Sequence, residues 1–392
     1  LRIGFLFNHA AAHQAAHAVP VAAALARLFP DVTLRLFVAE GPAEDEVRRL
    51  WQEAGQGADG RIVRLEPATT LASLLLKASG GAIPADRLSI LRSNLHHFRD
   101  CDALVVPEKT STLLKTRFGL DRLPLIHTRH GAGDRAIGFD RASGLFDLVL
   151  LSGPKIRDRL EQAGLTGPDR HAIVGYPKFD LPAHTPPEPL FATRRPTVLY
   201  NPHPSPALSS WYRMGPAILD WFAQQDRFNL IFAPHVMLFA KRWNLSLKPL
   251  SLAQVPQVPE RLRGLAHVRI DPGSRASVDM TYSDAADIYL GDASSQVYEF
   301  LRRPRPCIFV DAHNQDWQGH PDFAHWQAGP VVRSVDAMAQ ALERALQQPD
   351  GYATVQQDLF RYSFDLTERP SAQRAAEAIM GWLAGRQTRQ HG

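Results

Sequence analysis

Short apolar runs alternate with helix-length stretches along this chain; the alternation is broken once by a cluster of prolines, and then it begins again. The first series is Arg2–Phe7, Val32–Val38, Arg61–Leu65, Ala103–Val106, Leu125–His127 and Asp147–Leu151. The second is Thr197–Tyr200, Phe228–Ala233, His267–Ile270, Asp287–Leu290 and Cys307–Val310, with helical patterns at Met214–Gln225, Ser294–Arg302, Val335–Gln347 and Ser371–Leu383. Strands that alternate with helices build a mostly parallel sheet covered on both faces. Two doubly wound α/β domains are therefore expected. Between them, Leu181–Pro196 contains Pro182, Pro186, Pro187, Pro189 and Pro196. Proline has a fixed φ and no N–H, so this stretch continues neither a helix nor a central strand and reads as the interdomain linker. The expected division is a first domain over 1–182, a second over 197–370, and a C-terminal helix over 371–392 packing back on the first.

A length of 392 residues suits two such domains, and 45% hydrophobic with 21% charged residues is a globular composition. No stretch approaches the roughly 18 to 20 apolar residues of a membrane span, and Leu1–Phe7 reads as a strand, not a signal peptide. A cytoplasmic location is expected. Cys101 and Cys307, one in each half, supply neither a disulfide framework nor a cysteine metal site. The formal net charge of +4 fits phosphorylated ligands or an anionic membrane surface. The arginines are scattered among acids without a dense basic stripe, so nucleic acid is not expected as a partner.

The segment Tyr282–Phe300 carries the densest chemistry: an apolar run ends at Leu290, Gly291 permits a turn, and Asp292 precedes Ser294 and Ser295 at an expected helix start. Free N–H groups at a helix start favour a phosphate, and ordinary capping by Asp292 or Ser294 accounts for the same residues. A parallel exists in the first half, where Asp102–Val106 leads into Glu108, Thr110, Ser111 and Thr112. Acids and hydroxyls past a strand's carboxyl end sit where open α/β sheets bind ligands. His130 follows an apolar run and precedes Gly131, Ala132 and Gly133, a placement suited to a general base or to a structural role. His235 and His203 are further strand-end histidines. His9, His13 and His17 crowd the first strand-to-helix turn, yet lack the intervening glutamate and third ligand of a zinc site. No metal is expected, and His13 and His17 are read as facing the interdomain cleft or solvent.

Taken in order, these segments resemble the CDP-glycerol glycerophosphotransferase family of teichoic acid and capsule-like polymer enzymes. The likeness runs over about 130–310. It is carried by His130, Gly131, Arg135, Gly138 and Asp140; by the turn Gly175–Asp180 with Pro177 and Lys178; by Thr197–Pro202; by Pro234 and His235; by Ser283, Asp284, Asp292, Ser294 and Ser295; and by an Arg-Pro pair, Arg303 with Pro304 or Arg305 with Pro306. Four positions differ from the family pattern: Ala132 replaces a threonine, Arg135 a lysine, Ala233 an arginine and Ala293 a tyrosine. Arg135 keeps a cation able to grip phosphate bidentately; the other three changes bear on which group is transferred.

The resemblance implies a GT-B fold, two Rossmann-like domains facing a central cleft, with the nucleotide donor on the second. It implies catalytic roles for His130, as base on the acceptor, and His235, and a donor site of Ser294, Ser295, Asp292, Arg135, Gly131, Lys178 and Glu299. The implied reaction moves glycerol phosphate or a related polyol phosphate from a CDP-activated donor to a hydroxyl of a cell-surface glycan, with a glycan or lipid-linked acceptor and peripheral contact with the inner face of the membrane. The alternative is sugar transfer from a nucleotide-sugar on the same fold. A non-catalytic nucleotide sensor fits the retained histidines poorly, and a UDP-sugar 2-epimerase fits the paired serines less well. No cofactor is expected, since the helix start at Ser294 and the Arg135 cation can neutralise a leaving phosphate.

Overall fold

The computed structural model describes residues 1–8, 12–57, 60–67, 69–78, 85–129, 131–135, 138–182, 189–247 and 249–391, with side chains left aside at 75–78, 85, 247, 390 and 391. Each apolar series closes into its own sheet. The first holds β1 (Arg2–Phe7), β2 (Thr33–Val38), β3 (Ile62–Arg64), β4 (Ala103–Val106), β5 (Leu125–Thr128), β6 (Leu148–Leu151) and β7 (His171–Ile173) in the order β3-β2-β1-β4-β5-β6-β7. Every pairing in it is parallel.

The second holds β8 (Thr197–Asn201), β9 (Asn229–Phe232), β12 (Val268–Ile270), β13 (Ile288–Gly291), β14 (Cys307–Val310) and β15 (Val331–Val332) in the order β12-β9-β8-β13-β14-β15, again all parallel. Between β9 and β12 the chain forms a separate antiparallel ribbon of β10 (Trp243–Leu247) and β11 (Leu250–Gln254). Every residue of β4, β6, β8, β9, β13 and β14 is buried. Strands covered on both faces need apolar residues at every position, which is why they read as unbroken runs.

Two compact units result: Leu1–Ala132, Ile137–Pro182 and Arg361–Gly392 form the first, and Gly133–Ala136 with Ala183–Phe360 form the second. In the first, the helix Ala15–Leu28 lies against the helix Ser371–His391, and Ala18, Ala22, Ala375 and Ala376 are fully buried where they share one core. In the second, Ile218, Leu219 and Phe222 of the helix Gly215–Ala223 and Met338, Ala341 and Leu342 of the helix Val335–Gln347 cover the sheet. No helix among the described residues is long and apolar enough to cross a membrane.

The structure departs from the sequence pattern in several places. β7 and β15 are edge strands of three and two residues, too short to register as apolar runs. The expected helix Ser294–Arg302 is reduced to a single turn, Val297–Phe300. Ser294 Oγ accepts the Gln296 N–H at 3.4 Å, a local side-chain turn that competes with an earlier helix start.

The turn at Gly175 docks the C-terminal helix. The Asp180 carboxylate accepts the N–H groups of Ser371 at 3.1 Å and Ala372 at 2.6 Å, two of the unpaired donors at that helix's start. Ser371 Oγ in turn accepts the Tyr176 N–H at 2.9 Å. Gly175 has φ +86°, and a Cβ on it would strike Ser371 Oγ and lie 2.9 Å from the Asp365 carbonyl oxygen. Gly175→Ala therefore combines a left-handed backbone with a backbone clash and is expected to cost about 1–3 kcal/mol. A thermal melt reads this as a lowered midpoint; an unchanged midpoint would mean that the helix docks without this turn.

Candidate functional site

The order of the second sheet sets where its ligand edge lies. β8 sits between β9 and β13, so the chain runs outward on one side and then returns to build the other. Ligands of such sheets bind beyond the carboxyl ends of the strands at this reversal. The register puts Asn201 level with Gly291 and Tyr200 level with Phe232, so the three strands end on one edge. His203 follows β8, His235 follows β9 and Asp292 follows β13. Asn201 ties them together: its Nδ2 donates to the Ala233 carbonyl at 2.6 Å and its Oδ1 accepts from the Tyr289 hydroxyl at 3.3 Å.

Asp292 is fully buried and its carboxylate accepts from the Ser210 N–H at 2.6 Å, Ser210 Oγ at 2.8 Å, the His203 N–H at 2.8 Å and the Ala293 N–H at 2.6 Å. Burial pushes its pKa up, and these donors oppose the rise. Asp292 thus holds the His203 loop in place. Each of its two carboxylate oxygens is engaged by two of these donors.

Arg135 and His203 form the exposed end of this edge. Both are half-buried, and Arg135 Nη1 lies 2.9 Å from His203 Nε2. The other ring nitrogen, Nδ1, faces the Ser205 N–H at 3.0 Å. A neutral imidazole has one donor and one acceptor. In either tautomer one ring N–H therefore points at another donor. Burial first, then the Arg135 charge, holds the His203 pKa well below the usual histidine range, so the ring is neutral at pH 7. Burial also lowers the pKa of the Arg135 guanidinium. An anionic oxygen between the two groups would accept from both and remove the conflict. The His235 ring stands 5.9 Å from the His203 ring, centroid to centroid, with Nδ1 accepting the Met237 N–H at 3.3 Å.

A second, wholly buried cluster anchors Arg135. The neighbouring Asp134 is 2% exposed; its Oδ1 and Oδ2 accept from the Tyr298 hydroxyl at 2.7 and 2.8 Å, and Oδ2 also accepts the His325 N–H at 3.0 Å. His325 Nδ1 is 2.8 Å from Asp134 Oδ2 and Nε2 is 2.8 Å from the Asp292 carbonyl oxygen, which also accepts from Trp326 Nε1 at 2.9 Å. Both ring nitrogens of His325 therefore face acceptors, and Asp134 ties this ring to the loop that carries Arg135. Gly133 completes the anchor: a Cβ on it would lie 2.8 Å from Ser295 Cβ. Asp134, Tyr298, Ser210 and His325 are absent from the sequence reading; the only sequence signal is an acid inside a glycine-rich turn.

The remaining expected residues divide. Ser295 is exposed, against Gly133, on the same edge as Arg135. Ser294 is 1% exposed and hydrogen-bonded to the Tyr289 phenol. Because the helix here is one turn, a helix dipole does not explain a phosphate at this point. Glu299 is buried in the second unit, and Gly131 and Lys178 belong to the first, Lys178 buried there. His17 does not face solvent: it is 5% exposed, edge-on to Tyr176 at 5.0 Å within the first unit. His130 and His9 lie outside the described residues. Among the described residues no group of three or more His, Cys, Asp and Glu side chains could hold a metal ion.

The sequence matches no family model and no curated protein. Solved structures do match over nearly the whole chain. A UDP-N-acetylglucosamine 2-epimerase aligns with TM-score 0.63 at 11% identity, covering 99% of this chain and 96% of that one. The wall teichoic acid polymerase TagF, in a structure soaked with CDPG, aligns with TM-score 0.60 at 13% identity, over 98% and 89%. The UDP-GlcNAc 2-epimerase from Neisseria meningitidis bound to UDP-GlcNAc aligns with TM-score 0.57 at 12% identity, over 98% and 100%. These likenesses, with the two parallel sheets, show the GT-B fold.

Proposed function

We propose that this chain is a transferase whose second unit binds a nucleotide-activated donor by its diphosphate, at the edge formed by Arg135, His203, His235 and Ser295. The observation that carries the reading is the pair of opposed donors, Arg135 Nη1 and the His203 ring, at the reversal point of the sheet. Convergent donors at that place suit an anion.

The donor is read as CDP-linked glycerol or a related polyol. An acceptor hydroxyl attacks the β-phosphorus, the new P–O bond forms as the bond to CMP breaks, and CMP leaves with the bonding electrons. His130 is assigned the hydroxyl proton, and Arg135 with His203 the growing charge on CMP. The acceptor is a glycan or lipid-linked glycan, met through peripheral contact with the inner membrane surface. The second reading has the acceptor attack the anomeric carbon of a nucleotide-sugar and expel a nucleoside diphosphate. It is supported by the epimerase structures, which align as well as the polymerase does. Incubation with a panel of CDP- and UDP-linked donors separates the two: CMP from CDP-glycerol supports the first, UDP the second, and turnover of none of them removes both.

Proton linkage gives an independent check. His203 is neutral in the free protein because its pKa is depressed. A bound diphosphate places negative charge beside it and raises that pKa. Binding near pH 6 to 7 is therefore expected to take up a proton and to tighten as the pH falls towards the ordinary histidine value of about 6.5. Calorimetric enthalpies should vary with the ionisation enthalpy of the buffer, and His203→Asn should remove the variation. Buffer-independent enthalpies for the unaltered protein would take His203 away from the phosphate.

A further inference from the structure

The β10–β11 ribbon is built inside out. Its register pairs Leu245 with Leu252 and Asn244 with Ala253, so alternate residues share a face. The polar face is turned towards the body of the second unit: Asn244 Nδ2 donates to the Tyr212 hydroxyl and to the Leu238 carbonyl, both at 2.9 Å, and Ser246 Oγ bonds Ser205 Oγ at 2.9 Å. The apolar face is turned outward. Trp243 is 50% exposed, Leu245 53%, Leu250 77% and Leu252 63%. Such a concentration of large exposed apolar side chains on a two-stranded ribbon marks a contact surface. At its base lies a recess of about 750 Å³ whose lining includes Phe239, Lys241, Arg242, Val258, Arg263 and Ile270. Three of these residues are cations and none is acidic; Glu260, outside the lining, pairs with Arg263 at 3.3 Å.

We propose that the outward face of this ribbon, with the basic recess at its base, docks on an anionic lipid bilayer. Trp243, Leu245, Leu250 and Leu252 enter the interface, where a tryptophan and leucines beside cations are favoured, and Lys241, Arg242 and Arg263 meet lipid phosphates. Charge selects this occupant: an apolar face meant for a second copy of the chain would not need three cations at its rim. The ribbon is hydrogen-bonded through Ser205 to the loop that carries His203, so docking sets the donor edge close to the surface that carries lipid-linked acceptors. The inference deepens the peripheral contact proposed above and does not depend on which donor is used.

The test uses the full chain and vesicles of phosphatidylcholine, with or without phosphatidylglycerol, in a co-sedimentation assay. The protein is expected to bind the mixed vesicles, less so at high salt, and to ignore phosphatidylcholine alone. Leu250→Ser with Leu252→Ser, and separately Lys241→Glu with Arg242→Glu, should each weaken binding by about tenfold or more. Both variants should keep the thermal midpoint and nucleotide affinity of the unaltered protein, which shows that they fold. Undiminished vesicle binding by both variants would overturn the proposal while leaving peripheral contact through another surface intact. Absence of vesicle binding, with a dimer in sedimentation that the leucine variant converts to monomer, would assign the face to a second copy and overturn it as well.

Discussion

Asp134→Ala is expected to destabilise the second unit by several kcal/mol, since each buried donor left without its acceptor costs about 1–3 kcal/mol. Asp134 and His325 are 1% and 3% exposed at their side chains, so no water replaces the lost carboxylate. The Tyr298 hydroxyl, the His325 N–H and His325 Nδ1 would all lose their acceptor together. Because Asp134 holds its neighbour Arg135 against His203, nucleotide affinity should fall in the same variant. Asp134→Asn keeps an acceptor without the charge and should lie between the two. Unfolding followed by fluorescence, beside nucleotide titration at a temperature where the variant is folded, reads both effects. An Asp134→Ala protein with unaltered stability would mean that these donors are satisfied elsewhere, and the anchoring role would be lost.

His130→Ala should act differently. If His130 removes the acceptor's proton, its loss should lower turnover by about 10² to 10⁴ while leaving donor affinity nearly unchanged. Single-turnover rates on a folded variant, with direct nucleotide titration beside them, separate the two quantities. Normal turnover would end the assignment of His130 as the base. Intact folding with lost donor binding would instead move it to the phosphate.

These two lesions mark how far sequence reading reaches. The two sheets are legible because strands such as Val198–Tyr200 and Ile288–Leu290 are buried on both faces and so appear as unbroken apolar runs. His203, His235 and Asp292 are legible because chemistry past a strand's end has a position in any doubly wound sheet. What those residues do is less legible. Asp292 looks like a ligand group in sequence, and only the structure shows the four internal donors around its carboxylate. Ser294 and Ser295 look alike, yet one is buried and the other exposed, because the expected helix begins later at Val297.

The Asp134–His325 pair spans 191 positions and leaves no local pattern at all. The β10–β11 ribbon fails for another reason. Its period-two alternation of Trp243, Leu245, Leu250 and Leu252 with Asn244, Ser246 and Ser251 is plain in the sequence. A period alone, however, does not say which face is buried, and here it is the polar one.

Titration of CDP and UDP into the unaltered protein and into Arg135→Ala tests the central claim most directly. Arg135 is read as a charge-assisted donor to the diphosphate, an interaction worth about 1.5–3 kcal/mol, so the variant should bind at least one of these nucleotides about ten- to a hundredfold more weakly. Arg135→Lys should recover part of the loss, since it restores the charge without the planar fork. Equal affinity for both nucleotides in the unaltered protein and in a folded Arg135→Ala variant would contradict the claim that this edge of the second sheet is where the donor is held.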